Sequence, residues 1–354
     1  MATPAPPFDL TLHIGSSKTG TSSLQGFLNQ NRDELLRRGW LYPRSPGATR
    51  HRRFGMMLMP DQQLVSHRLW KRGKNDDVAA FRSQTAARLL DEVSTGAGHV
   101  LLSDEGLFTA RPGAIDRARA LFAGRARSVR VVAYLRRQDD HLLSSYQQAV
   151  KIGSTVRLSE WAAKDRGRLY DYAARLDAWR TGMRPDAVVV RPFERARFRG
   201  GSLYQDFLDA VGVPVEVGDL AVPVDRNESL GAEAVEVLRV INLFRVEEQG
   251  MAQWRIDNGP LIPLLAAEAG EPLSLPADRR AAYLAGFEET NRIVAERYLE
   301  AADRPLFTAA VKESTEPEHR LDPARLDHYL PLLGLPEAEW AGIRRIAERE
   351  VART

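Results

Sequence analysis

The sequence of 354 residues contains no cysteine. That excludes a disulfide scaffold, a thiolate metal site and a cysteine nucleophile. Lysine is almost as scarce, with six lysines against 44 arginines, the excess a GC-rich genome produces. Charge of one sign is also lacking. Fifty basic and 47 acidic residues leave +3, too balanced for a nucleic-acid coat or a disordered polyelectrolyte, so no nucleic-acid partner is expected. No apolar run approaches the ~18 to 20 residues that span a bilayer, and no integral membrane segment is expected. The start, Met-Ala-Thr-Pro-Ala-Pro-Pro-Phe, has neither the basic nor the apolar region of a signal peptide. These readings predict a soluble cytoplasmic protein. The seven histidines are scattered without metal-ligand spacing, so no metal is expected.

What is present is an alternation of strand and helix. Segments 8–14, 40–42, 99–103, 128–135 and 187–190 read as strands. A helical pattern runs from Thr21 until Gly39 stops it, and others cover 78–93, 114–122, 139–150, 172–181 and 203–211. Residues 44–75 read as basic and irregular. This order predicts an α/β fold, a P-loop-like doubly wound parallel sheet flanked by helices. After about residue 225 only helices are expected, over 230–245, 279–299 and 337–349, with 257–275 the loosest stretch. The division expected is an α/β core over 1–225 and a helical C-terminal extension over 226–354, packed on the core as one domain.

The most informative segment follows the first strand: Gly15-Ser16-Ser17-Lys18-Thr19-Gly20-Thr21-Ser22-Ser23. A glycine-containing turn between strand and helix gathers backbone N–H groups at a helix N-terminus and so favours an anion, most often phosphate. Lys18 adds positive charge, and the hydroxyls add donors. The order Lys-Thr-Gly-Thr departs from the Walker G-x-x-x-x-G-K-[ST] pattern. A plain strand–helix turn with capping hydroxyls is the bland alternative.

Lys-Thr-Gly-Thr-Ser-Ser after a first strand resembles the 5′-phosphosulfate loop of sulfotransferases that use 3′-phosphoadenosine-5′-phosphosulfate. The resemblance implies that Ser17, Lys18, Thr19, Gly20, Thr21, Ser22 and Ser23 hold the donor, with Lys18 also acting in catalysis and no metal required. The family has a second motif, a strand ending in Arg with Ser eight residues later, which contacts the 3′-phosphate. Here Arg136 and Ser144 have that spacing, and Tyr146 matches the aromatic two residues beyond. Arg137 with Ser145 has the same spacing. Arg136 is preferred because it follows the apolar strand directly. Gln138 stands where the family often has proline.

Val100-Leu101-Leu102-Ser103-Asp104-Glu105-Gly106 is an apolar strand ending in two acids. In a P-loop kinase such a pair holds magnesium. In glycan sulfotransferases a Glu here takes the proton of the acceptor hydroxyl, which implies Glu105 as general base with Ser103 or Asp104 in support. His141 is the other base to consider. The expected activity is sulfuryl transfer to the hydroxyl of an acceptor, a carbohydrate or glycolipid. A P-loop small-molecule kinase and a non-catalytic nucleotide-binding protein are the rivals.

Weaker features complete the reading. Segments 188–194 and 202–212 read as scaffold. Arg226-Asn227-Glu228-Ser229 is either a nucleotide contact or an ordinary helix cap. The basic residues of 50–53 and 68–74 read first as a solvated face, with an anionic acceptor as the functional alternative. Trp161, Trp179 and Trp254 read as core.

Overall fold

The computed structural model describes residues 7–73, 76–224, 229–299, 304–310 and 321–353. They fall into two compact units, each discontinuous in sequence. The first takes the described residues of Met1–Arg137, Gly167–Asp225 and Glu288–Ala309; the second takes those of Gln138–Arg166, Arg226–Phe287 and Ala310–Thr354.

The first unit is built on five strands: β1 (Phe8–Gly15), β2 (Trp40–Leu41), β3 (His99–Ser103), β4 (Ala126–Leu135) and β5 (Ala187–Pro192). All are parallel, in the order β2-β3-β1-β4-β5. Side chains alternate across a strand, so β1 presents Leu10, Leu12 and Ile14 to one face and Thr11 and His13 to the other. Both sets are buried, as a parallel sheet covered on both faces requires. Helices Thr21–Gln30 and Leu203–Val211 pack with Leu101, Val132 and Tyr134 on the His13 face. On the opposite face Phe122, at the end of helix Pro112–Phe122, meets Phe8 edge-on with 6.3 Å between ring centroids. The parallel α/β expectation is met.

Several elements differ from the expected ones. The helix from Thr21 stops at Gln30 and restarts as Arg32–Arg37. Asn31 makes the break: its amide donates to the Phe27 and Ala221 carbonyls and accepts from the Ala221 N–H, all at 2.8 Å. Residues 44–75 are less irregular than expected, holding the short helices Arg52–Leu58, Asp61–Ser66 and Arg68–Arg72. Phe54 to Leu58 are all buried, so the segment has no polar face and gives no helical period. The expected helix over 279–299 is two, Ala277–Ala285 and Glu288–Tyr298, parted at Gly286. The second of these belongs to the sheet-bearing unit, where Thr290 Oγ1 accepts the Ala173 N–H at 2.9 Å.

The second unit is helical. At its centre helix Ala232–Glu247 is buried on nearly every side, and helices Gln138–Lys151, Leu261–Ala267, Leu326–Leu332 and Glu337–Ala352 share its core. Leu261–Ala267 lies within the stretch expected to be loosest. Trp179 is core, as expected, and Trp161 is partly buried; Trp254 is 62% exposed, on a short 3₁₀ turn rather than an amphipathic helix. Arg226 to Glu228 and Lys74 lie outside the described residues.

A buried ionic cluster threads this second core. Arg239 donates to Glu236 at 2.9 Å and to Glu350 at 3.0 Å, and Glu350 also accepts from Arg157 at 3.0 Å. Burial pushes the Glu350 carboxyl up, but Arg239 and Arg157 outweigh it and bring it down to about 2. Removing one partner leaves a buried charge uncompensated. Arg239→Met is therefore expected to cost about 3–5 kcal/mol, read as a lower urea midpoint. Glu350 has a lower folded than unfolded value, so its contribution is full above the ordinary 4.5 and lost as pH falls through about 2. Acid unfolding curves of wild type and variant should therefore converge at low pH.

Candidate functional site

From β1 the chain moves to β2 and β3 on one side, then crosses to β4 and β5 on the other. The carboxyl end of β1 is thus where the strand order reverses, the place open α/β sheets use for ligands. The turn from Ser16 to Gly20 sits there. It is fastened to β4 by the Ser16 N–H on the Tyr134 carbonyl at 2.8 Å. Within it, Thr19 is fully buried and its hydroxyl donates to the Ser16 carbonyl at 2.7 Å. Ser17 and Lys18 are half-buried, and Ser22 and Ser23 lie on the first helical turn, Ser22 exposed.

The backbone of this turn is wound left-handed at three points: Gly15 (φ +94°), Lys18 (φ +63°) and Gly20 (φ +70°). Gly15 is required by space as well, since a Cβ there would stand 2.9 Å from the Glu105 Cα. Lys18 has no such freedom, and a left-handed non-glycine residue marks strain held by its surroundings. One restraint is visible: Arg136 donates to the Lys18 carbonyl at 3.0 Å. Gly20 is the N-cap of helix Thr21–Gln30 and supplies no side-chain cap. The resulting strand–turn–helix places a lysine in the turn that leads into a helix N-terminus.

Glu105 comes to this turn from the end of β3. Its Oε2 accepts from Thr21 Oγ1 at 2.5 Å, and its Oε1 accepts from the Arg50 guanidinium at 2.6 Å. Arg50 also donates through Nε to Asp104 Oδ1 at 2.6 Å, and that oxygen accepts the Gly106 N–H at 3.1 Å. Burial raises the Asp104 carboxyl from its ordinary value, with Arg50 opposing. Asp104 is thus an N-cap and a partner of Arg50, while Glu105 faces the turn. Ser103 is buried below, its hydroxyl bonded to His13 Nδ1 at 2.8 Å and Gln25 Nε2 at 3.2 Å. Burial lowers the His13 ring to about 3, so it is neutral scaffold under the turn.

Arg50 was hidden in a basic run that reads as a solvated face. The structure corrects that reading for residues 50 and 51. His51 is fully buried; its Nδ1 accepts the Ser103 N–H at 3.0 Å and its Nε2 donates to the Pro43 carbonyl at 2.8 Å. Burial lowers this ring to about 3 as well. Pinning residue 51 to the end of β3 delivers residue 50 to the acids that follow. The signal that marks this is the apolar Phe54 to Leu58 run, which must enter the interior and takes its leading residues with it.

The two arginines after β4 diverge. Arg136 reaches the turn, with its Cζ 5.8 Å from the Phe193 ring centre; Arg137 is buried and donates to the Ala309 carbonyl. Ser144, Ser145 and His141 lie on helix Gln138–Lys151 in the second unit, where Ser145 Oγ and His141 Nδ1 share a hydrogen bond at 3.2 Å. Ser144 is half-buried. Among the described residues no helix is long and apolar enough to cross a membrane, and no three His, Asp or Glu gather as metal ligands.

The class these features define is a parallel α/β protein with a strand–turn–helix of the kind that holds anions. The chain matches no known protein-family profile. An uncharacterized protein of Archaeoglobus fulgidus is 30% identical over 132 residues, which is 36% of this chain; the match spans 34% of that protein. The crystal structure of a sulfotransferase from Alicyclobacillus acidocaldarius is 18% identical and aligns with a TM-score of 0.40, over 72% of this chain and 95% of that one.

Proposed function

We propose that this protein is a sulfotransferase that moves a sulfuryl group from 3′-phosphoadenosine-5′-phosphosulfate to a hydroxyl, on a carbohydrate or glycolipid acceptor. The observation that carries the reading is the bond of Thr21, at the end of the turn that holds Lys18, to Glu105, 84 residues further along the chain. The donor set suits the co-substrate. Residues 17–23 offer a helix N-terminus, Lys18 and hydroxyls to the 5′-phosphosulfate. Arg136, with Ser144 by the sequence spacing, is assigned to the 3′-phosphate, for which a planar fork of donors is apt.

The co-substrate supplies an activated sulfuryl group on a phosphate leaving group. Glu105 takes the proton of the attacking hydroxyl. Each of its oxygens carries a second lone pair beside the bond to Thr21 or Arg50, so these contacts orient the carboxylate and leave it able to accept. Lys18 places a compact charge where negative charge grows on the departing oxygen. Arg136 holds the strained Lys18 peptide in place.

The test is ligand stabilisation without magnesium. Saturation with 3′,5′-adenosine bisphosphate at about a hundred times Kd is expected to stabilise the fold by about 2.7 kcal/mol, seen as a higher Tm. Magnesium-dependent binding of ATP with no response to the bisphosphate would overturn the reading in favour of a kinase.

A further inference from the structure

Beyond Glu105, on the side of Arg50, lies a cavity of about 380 Å³. Its polar lining is Arg50, Arg52, His67, Arg68, Arg72 and Asp104. The charges do not balance. Asp104 is bonded to Arg50, which also holds Glu105. Among the described residues no carboxylate forms an ion pair with Arg52, Arg68 or Arg72. His67 adds no charge near neutrality: partial burial, with Arg52 and Arg50 nearby, keeps its ring below the ordinary 6.5, and its Nδ1 accepts the Leu69 N–H at 3.2 Å. Met56 and Met59 give the cavity an apolar wall.

Three arginines around a concavity repel one another and focus a positive field into it, and that field is relieved by a bound anion. Guanidinium forks match the oxygens of a carboxylate, sulfate or phosphate. Arg50 links this cavity to the turn: it lines the cavity and bonds one oxygen of Glu105, whose other oxygen accepts from Thr21. Asp104 and Gly106, the chain neighbours of Glu105, line the cavity too, so it opens beside the carboxylate.

We propose that this cavity is the acceptor subsite and that the acceptor carries an oxyanion, held by Arg52, Arg68 and Arg72, beside the hydroxyl presented to Glu105. The acceptor assignment rests on the sulfotransferase reading; the binding of an anion in the cavity does not. The short helices of 52–72 thereby act as the selective wall of the site. A neutral sugar would leave the three cations unmatched, so charge on the acceptor becomes the criterion of selection.

The experiment is calorimetric titration of the full chain with glucuronate, with glucose and with inorganic sulfate. Wild type, the triple variant Arg52→Ala/Arg68→Ala/Arg72→Ala and Lys18→Gly are compared. The three arginines are exposed, so the triple variant is expected to fold, which thermal unfolding checks. Glucuronate is expected to bind at least about tenfold more tightly than glucose, and added salt should erode the difference. The triple variant should lose that preference, while Lys18→Gly, which alters only the turn, should keep it. Equal affinity for the two sugars, no binding of glucuronate, or a preference that survives in the triple variant would overturn the proposal. Sulfate binding that the triple variant abolishes, without glucuronate binding, would make the cavity a free-anion site and also overturn the acceptor assignment. Bisphosphate binding measured on the same samples reports separately on the sulfotransferase reading.

Discussion

Lys18→Gly is expected to lower kcat for sulfuryl transfer by about 10²–10³-fold while leaving thermal stability nearly unchanged. The two halves of this expectation have different physical origins. Lys18 is one of two non-glycine residues with positive φ among the described residues, the other being Arg184. Left-handed backbone costs an L-residue roughly 1–2 kcal/mol and costs glycine little. Glycine, however, loses roughly 0.5–1 kcal/mol more chain entropy on folding. The two terms oppose each other, so the fold keeps its stability. The ammonium group is what disappears, and with it the charge proposed to face the leaving oxygen. Lys18→Arg should not restore the rate, because a wide, planar fork does not replace a compact point charge at one oxygen. Turnover retained in Lys18→Gly would remove this side chain from the chemistry and leave the turn as a binding element only.

Glu105→Gln is expected to cost about 10²–10⁴ in kcat, the range for loss of a positioned general base. Binding of 3′,5′-adenosine bisphosphate should be unchanged. Glutamine keeps the length of the side chain, and its carbonyl can still accept from Thr21. Its amide then faces the Arg50 guanidinium, donor against donor, while Arg50 keeps its bond to Asp104. The architecture of the turn therefore survives, and the proposed proton acceptor does not. Stopped-flow measurement of one turnover, alongside bisphosphate titration, separates the two effects. A full single-turnover rate in Glu105→Gln would refute the base assignment and direct attention to His141, whose ring shares a bond with Ser145 on helix Gln138–Lys151.

Much of the frame was legible because its signals are local. The five strands are short apolar runs closed by turn residues, and four of the intervening helices have a period that one sequence window contains. The turn after β1 was legible for the same reason, since lysine, glycine and hydroxyls follow one another in the chain. Glu105 and Arg136 were candidates through the family resemblance, Arg136 being preferred over Arg137 because it follows the apolar strand directly. Where the reading failed, the deciding contact was distant in sequence or had no period. Asn31 ends a helix because Ala221 is beside it, 190 residues away. The helices of 52–72 have too few residues for a period, and the first is buried from Phe54 to Leu58 with no polar residue among them. Helix Glu288–Tyr298 joins the sheet-bearing unit because its partners are on helix Tyr172–Met183, and nothing within its own sequence says so.

The sequence by itself determined the parallel α/β plan and the chemical content of the turn, because strand length, glycine placement and the order of lysine and hydroxyls act over a few residues. Tertiary structure alone decided what that turn faces. Only folding brings Glu105 to Thr21 and buries His51 so that Arg50 meets both acids. Only folding gathers Arg52, Arg68 and Arg72 around one cavity. The reason is that a charge in a sequence has a sign but no neighbours. Whether it is a solvated surface group, a structural partner or part of a binding wall depends on distances that the chain acquires when the sheet assembles.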